Sequence, residues 1–211
     1  VADLSTQGFA EDYAAIIQAL IKYYETTFDD EALRVANDLT LQMNEQYYDP
    51  LEKLFYFTSI HAENLIARKN DLFDNVIPSS NSMMAENLLK LGLHLDNEPY
   101  KQQAVDMVNQ VSEMIAQETS YLSQWASVAT LLVKPIPEIV IFGDNYQEVT
   151  TALNALHIPR KIVAASAAET NLPLLQYKTQ IKGKTAIYVC YNKTCKLPVT
   201  ELSQALTQIS S

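Results

Sequence analysis

Apolar residues recur with the period of an α-helix in separate segments of this chain, up to about residue 134. In five segments they follow the spacing i, i+3, i+4, i+7, which places them on one face of a helix. The five segments are residues 13–24, 33–43, 84–95, 100–115 and 122–132. Short polar turns separate the first helix from the second and the third from the fourth, and this arrangement is typical of helical hairpins.

Beyond Pro137 the pattern changes to short apolar runs rich in β-branched residues. Strands are predicted at residues 138–142, 161–165 and 185–190, and helices at residues 149–156 and 198–209. This order of elements is typical of a small α/β layer.

We therefore predict a mainly α protein with an α/β tail. A helical-hairpin domain at residues 1–134 precedes a small three-stranded α/β domain at residues 135–211. The helical part contains one long connection, residues 46–78, in which no helical period persists. A connector of this length in a compact domain is usually functional or disordered, and its many aromatic residues favour an ordered segment, with a short extended stretch at residues 54–58.

Polar groups are unusually dense at the end of that connection, in Asp71-Leu-Phe-Asp-Asn-Val-Ile-Pro-Ser-Ser-Asn-Ser82. The segment comes directly before the third helix and follows the cationic pair Arg68-Lys69. Its hydroxyls suit helix capping, and the N–H groups of a helix N-terminus also suit an anion or a sugar hydroxyl. The two uses can coexist, so this segment is our first candidate for the lining of a pocket.

Two carboxylates of different environment can divide acid and base work, and an arginine can bind an anionic group through its planar guanidinium. Glu63, Arg68, Asp71 and Asp74 offer that chemistry, although a solvated charged loop would have the same composition. Asp12 and its neighbour in the first helix, Tyr13, allow two interpretations as well. An acid in the first turn stabilises the helix dipole, or the pair faces a cavity.

The net charge of −10 argues against nucleic acid and, more weakly, against anionic membrane surfaces. No apolar run is long enough to span a membrane. Three isolated histidines lack a second ligand at metal spacing, so neither a metal nor a cofactor is predicted.

The remaining candidates are Cys190 and Cys195, which could be half a metal site, a redox-active disulfide or, as we expect, two unrelated thiols. With only two cysteines, a cytoplasmic location is the default expectation.

Several strings, taken in order, resemble the thioredoxin-domain-containing family that includes spermatogenesis-associated protein 20 and its bacterial relatives. The resemblance covers nearly the whole chain. The strings are Ala10-Glu-Asp-Tyr-Ala14, Leu54-Phe-Tyr-Phe-Thr58, Arg68-Lys-Asn-Asp71, Asp74-Asn-Val-Ile-Pro-Ser-Ser-Asn-Ser82, Glu138-Ile-Val-Ile-Phe-Gly143, Thr185-Ala-Ile-Tyr-Val-Cys190 and Cys195-Lys-Leu-Pro-Val-Thr200.

The resemblance implies a longer parent protein with an N-terminal thioredoxin-like domain. An (α/α)6 toroid similar to N-acylglucosamine 2-epimerases and six-hairpin glycosidases would follow it. This chain would be the C-terminal part, with about half of the toroid and the α/β tail. Half a toroid would expose apolar helix faces, so we expect contact with the rest of the parent or self-association.

The resemblance also implies that the polar motifs lie near the mouth of the toroid. The residues that match are Asp12, Tyr13, Arg68, Asp71, Asp74, Ser79, Asn81 and Ser82. The chain departs from the family at Ser80 and at Lys53-Leu54, where glycines are usual.

The leading hypothesis is a carbohydrate-type small-molecule pocket of epimerase-like or hydrolase-like character. In it, Asp12 and Asp74 are the acid/base candidates. Tyr13, Arg68, Asp71, Ser79, Asn81 and Ser82 are the substrate-binding candidates. The alternative is a non-enzymatic scaffold or binding module that supports the thioredoxin-like domain. Cys190 and Cys195 remain candidates for a redox pair.

Overall fold

The computed structural model describes residues 8–62 and 67–210, and seven α-helices lie within those ranges. They are α1 (Ala10–Thr27), α2 (Asp30–Gln46), α3 (Ser80–His94), α4 (Glu98–Gln117), α5 (Ser123–Val133), α6 (Tyr146–Asn154) and α7 (Leu202–Ser210). The first five correspond to the five periodic segments of the sequence. Three of them begin at side-chain caps, because Asp29, Ser79 and Asn97 each accept a hydrogen bond from a backbone N–H in the first turn.

The helices of the N-terminal part pack as two hairpins. α1 pairs with α2 and α3 pairs with α4, while α1 also packs against α3 and joins the two hairpins. α5 packs on α3 and α4. Large apolar side chains on the facing stripes are fully buried, among them Ile17, Tyr24, Leu88 and Trp125. Burial of these stripes is the main source of stability for helices of this length.

The long connection between α2 and α3 is ordered in its described part. It contains a two-stranded antiparallel hairpin of β1 (Tyr48–Asp49) and β2 (Leu54–Phe55), so the extended stretch expected at 54–58 is shorter than predicted. Lys53, in the turn, has a φ of 55°. This is the left-handed region, and it explains why a glycine would suit the position.

The C-terminal sheet has four strands where the sequence predicted three. They are β3 (Glu138–Phe142), β4 (Ile162–Ser166), β5 (Ala186–Tyr191) and β6 (Thr194–Cys195), in the order β4-β3-β5-β6. β3 and β4 are parallel and are connected through α6, whereas β5 and β6 form an antiparallel hairpin. The added strand, β6, has only two residues, too few for an alternating pattern to be recognised in the sequence.

The sheet is covered on both faces. Val140, Phe142 and Ile162 belong to the same buried cluster as the helical hairpins, while Ile139 and Ile141 belong to a second cluster with α6 and α7. The sequence of a strand that is buried on both faces is typically a continuous run of apolar residues, and most of β3 has that composition. The fold is therefore mainly α with an α/β tail, as predicted. Its toroidal arrangement stays a prediction.

Candidate functional site

The polar loop, residues 68–82, forms a dense hydrogen-bond network around the carboxylate of Asp74. Asp74 is only 9% exposed, and its Oδ1 accepts hydrogen bonds from the Ser79 N–H and the Ser82 hydroxyl, both at 2.9 Å. Its Oδ2 accepts from the Gln124 N–H at 2.8 Å. Ser79 precedes α3 and Gln124 lies in the first turn of α5. One carboxylate therefore bridges the N-termini of two helices, where a negative charge is stabilised.

The two serines of the loop also serve the start of α3. The Ser79 Oγ accepts from the Ser82 N–H at 3.2 Å as the N-cap, and the Ser82 hydroxyl lies 3.0 Å from the Ser79 carbonyl oxygen. Both residues are buried. Ser80 lies between them and has a buried hydroxyl with no hydrogen-bond partner.

Asn81 connects this loop to the β1–β2 hairpin. Its side-chain oxygen accepts from the Phe55 N–H at 2.7 Å, and its Nδ2 donates to the carbonyl oxygens of Phe55 at 2.8 Å and Asp71 at 2.9 Å. The amide thus occupies both backbone groups of Phe55, as a neighbouring strand would. The Asp71 carboxylate accepts from the Ser80 N–H at 2.9 Å.

The guanidinium of Arg68 contacts backbone carbonyls. Its Nη2 donates to the Thr58 oxygen at 2.6 Å and to the Gln46 oxygen at 3.2 Å, and its carbon lies 4.1 Å from the centre of the Tyr56 ring. Gln46 is the last residue of α2, so a cation satisfies a carbonyl at the negative end of that helix.

Asp12 and Tyr13 have no hydrogen bond with these loop residues. Asp12 is exposed and its Oδ2 accepts from the Phe9 N–H at 2.8 Å, half of a capping box at the start of α1. The Tyr13 hydroxyl accepts from Gln42 at 3.0 Å, and its ring tilts against Tyr47. The first-turn interpretation of Asp12 thus accounts for its contact. Glu63, part of the predicted charged cluster, lies outside the described residues.

A surface groove of about 440 Å³ lies beside the polar loop. Phe57, Lys69, Asp71, Phe73 and Ser79 are among its lining residues. Asn70 also lines it, and its Oδ1 is buried without a hydrogen-bond partner. A buried acceptor without a donor destabilises the fold, and a donor that reaches it removes this cost.

The second polar region is the disulfide cavity, about 360 Å³ in volume, between the α3–α4 turn and the β5–β6 hairpin. Cys190 and Cys195 line it and form a disulfide, so the expectation of two unrelated thiols was wrong. The two residues are direct partners in the antiparallel register, which a linear spacing of five does not reveal. Within residues 8–62 and 67–210 no cluster of His, Cys, Asp and Glu has the geometry of a metal site.

Sequence reasoning missed the buried pair of Glu25 and His94. His94 Nε2 lies 3.5 Å from Glu25 Oε1, and both residues are nearly inaccessible. Burial alone raises the pKa of the Glu25 carboxyl, but contacts with His94 and with Lys22 outweigh it and lower that pKa to about 2. No local signal identifies this pair, because 69 positions separate Glu25 on α1 from His94 on α3.

No established family profile matches the chain. Curated relatives do match, and three are spermatogenesis-associated protein 20 of Mus musculus, Homo sapiens and Rattus norvegicus. They are 24%, 25% and 28% identical to this chain, and each match covers 92% of it. The chain spans about a quarter of the length of these relatives, since the matches cover 26% of each of them.

By its fold the chain is a helical-hairpin protein that carries a small mixed sheet. Over nearly its whole length it is similar to spermatogenesis-associated protein 20, as the ordered motifs of the polar loop and the sheet had indicated. None of the described helices is long and apolar enough to cross a membrane.

Proposed function

We propose that this chain is a non-enzymatic structural module of a longer protein. The observation that carries the proposal is the saturation of the Asp74 carboxylate, which accepts three hydrogen bonds from two helix N-termini. An acid or base must reach a substrate proton, and a carboxylate with this many internal donors in a buried position is poorly placed to do so. The same holds for Asn81, whose amide is occupied by Phe55 and Asp71.

The module would support the remainder of the parent protein, including the thioredoxin-like domain that the family resemblance implies. Its hairpins would form part of an (α/α)6 toroid, completed by segments outside this chain. The outer face of α1 supports that proposal, because Ile16 and Tyr23, two helical turns apart, are each 52% exposed. Apolar side chains at such a spacing form a stripe that another helix would cover.

Sedimentation equilibrium tests the toroid proposal. We expect the isolated chain to self-associate with rising concentration, and the variant Ile16→Lys/Tyr23→Lys to weaken that association. Leu51→Lys is the matched control, because Leu51 is 90% exposed on a different segment. A chain that stays monomeric at all concentrations would contradict the half-toroid arrangement.

A second candidate function is a small-molecule pocket of carbohydrate type in the groove beside the polar loop. The buried, unpartnered Oδ1 of Asn70 favours it, because a hydroxyl of the ligand would supply the missing donor. Phe57 and Phe73 offer apolar surface for a sugar ring, and Lys69 and Asp71 offer charged groups. If the groove is such a pocket, the hydrogen-bond network of the polar loop stabilises its walls, and the network residues do not react with the ligand.

Thermal unfolding in the presence of a panel of mono- and disaccharides separates the two candidates. For the structural module, no sugar changes the Tm, while Asp74→Asn lowers the Tm by several degrees in every condition. The pocket predicts instead that a sugar raises the Tm of the wild-type chain. Lys69→Ala is the informative variant, since its exposed side chain lines the groove and it should abolish the sugar effect without lowering the basal Tm.

A further inference from the structure

The disulfide cavity holds a sulfur–sulfur bond next to an ammonium group. The Nζ of Lys178 lies 3.6 Å from the Sγ of Cys195 and 5.2 Å from the centre of the Tyr188 ring. Among the described residues no carboxylate lies within ion-pair distance of Lys178. Two other lysines of the cavity are neutralised, Lys101 by Glu98 and Lys193 by Asp96.

An ammonium beside a cysteine sulfur stabilises the thiolate form and lowers the pKa of that thiol. Lys178 is therefore positioned to stabilise a negative charge on Cys195 once the disulfide is opened. No such contact is made by Cys190, which is only 2% exposed, whereas Cys195 is partly exposed. The two sulfurs thus differ in both access and charge environment.

A third group lies in the same row of the sheet. Glu138 on β3 is the direct register partner of Cys190 on β5, and Cys190 is the direct partner of Cys195 on β6. Direct partners place their side chains on the same face, and all three residues line the cavity. Glu138 is 3% exposed, and burial raises the pKa of its carboxyl.

From this arrangement we propose that Cys190 and Cys195 form a redox-active pair that exchanges electrons with a dithiol entering the cavity. Cys195 is the sulfur that forms the mixed disulfide, and Cys190 is the resolving sulfur. Lys178 stabilises the Cys195 thiolate. This site is independent of the structural role proposed for the polar loop.

In the reducing direction, one thiolate of the dithiol attacks Cys195 Sγ and the S–S bond breaks. The electron pair goes to Cys190 Sγ, which takes up the proton that the first thiol of the dithiol gave up, and the neighbouring Glu138 carboxyl can carry that proton to the sulfur. The second thiolate of the reductant then closes its own disulfide and releases Cys195 as a thiolate. The protein pair gains two electrons, the reductant becomes a disulfide, and its second proton goes to solvent.

The first test is a redox titration of the 211-residue chain, followed by alkylation and mass spectrometry. Dithiothreitol serves as a small dithiol, and reduced thioredoxin as a dithiol carried by a protein. We expect at least one of them to reduce the pair while the far-ultraviolet circular dichroism stays unchanged. Which of the two reacts identifies the source of the dithiol. Resistance to both, or reduction only with loss of the circular dichroism signal, would overturn the proposal in favour of a structural disulfide.

The second test compares the two single-cysteine variants. The free thiol of Cys190→Ser, which is Cys195, should react with iodoacetamide at neutral pH about tenfold faster than the free thiol of Cys195→Ser. Equal rates, or the reverse order, would overturn the assignment of the two sulfurs.

Adding Lys178→Met to the Cys190→Ser variant should slow its reaction several-fold and lower its ultraviolet thiolate absorbance. The matched control is Lys193→Met, which removes a cavity lysine that is already paired with Asp96 and should change neither readout. If both lysine variants behave alike, the contact of Lys178 with the sulfur has no role.

Discussion

The polar loop and the disulfide cavity differ in how their polar groups are paired. In the loop, Asp74 and Asn81 have each of their side-chain oxygens bonded to donors in the protein. In the cavity, Lys178 has no carboxylate partner among the described residues, and its ammonium lies against a sulfur. Saturated polar groups stabilise a fold and leave nothing for a ligand, whereas a charge beside a reactive atom changes that atom's chemistry.

The comparison adds to what composition predicts. A segment dense in carboxylates and hydroxyls predicted a pocket, and in the structure Asp74, Ser82 and Asn81 bond to helix ends and a hairpin, while the Asn70 Oδ1 beside the groove has no partner. The cysteine pair, expected as two unrelated thiols, lies in a cavity with a charged neighbour. The number of polar residues in a segment therefore says less about function than the number that stay unpaired after folding.

The largest expected effect is at the centre of the loop. Asp74→Ala should lower the free energy of unfolding by about 3–4 kcal/mol, because it leaves two N–H groups and a hydroxyl without their acceptor. Urea unfolding followed by circular dichroism measures the loss. Asp12→Ala is the matched control, an exposed cap that should cost about 1 kcal/mol or less. Equal losses in both variants would mean that Asp74 does not connect α3 to α5.

A smaller loss in the free energy of unfolding is expected when the hydrogen bonds between the polar loop and the β1–β2 hairpin are removed. Asn81→Leu keeps a similar volume but removes three hydrogen bonds, so we expect a loss of about 2–3 kcal/mol in the free energy of unfolding. Amide hydrogen exchange should also become faster at Phe55, whose N–H donates to Asn81. Unchanged protection at Phe55 would contradict the contact. Asn75→Ala, at an exposed position of the same loop, should change stability by about 0.5 kcal/mol or less.

The third prediction concerns the arginine of the loop. Arg68→Ala should cost about 1–2 kcal/mol of unfolding free energy, through lost hydrogen bonds to Gln46 and Thr58 and lost stacking on Tyr56. Arg68→Lys should recover little of it, because an ammonium cannot reach two carbonyls and cover a ring at once. Lys69→Ala provides the neighbouring control. Full recovery by lysine would indicate that only the charge matters.

The smallest effect is expected in the cavity, where it takes the form of a pH dependence. Burial raises the pKa of the Glu138 carboxyl in the folded chain, so the folded state binds its proton more tightly than the unfolded state. The contribution of Glu138 is therefore favourable at acidic pH and is lost as the pH rises through the raised pKa. Glu138→Gln should remove that part of the stability–pH curve, measured by urea unfolding at several pH values. A curve unchanged by the variant would contradict the assignment.

Much of the fold could be predicted from local patterns. The five helical segments and the three main strands follow from the period of apolar residues, which depends on neighbours within a few positions. Part of the loop was also predictable, since Ser79 caps the N–H of Ser82 only three residues later. The predictions were less accurate for elements that are defined by hydrogen bonding to a partner strand and are too short to show a periodic pattern of apolar residues. Examples are the two-residue strand β6 and the short β1–β2 hairpin.

The sequence by itself determined which residues are helical, which are extended, and where polar side chains are concentrated. Only the tertiary structure decided what those polar side chains contact. Asp74 bonds to Gln124, 50 positions away, and Asn81 bonds to Phe55, 26 positions away. Lys178 reaches Cys195 because the β5–β6 hairpin returns the chain to it. Secondary structure follows from short-range sterics and periodicity, but the partner of a polar group depends on how whole elements pack, and no local spacing contains that information.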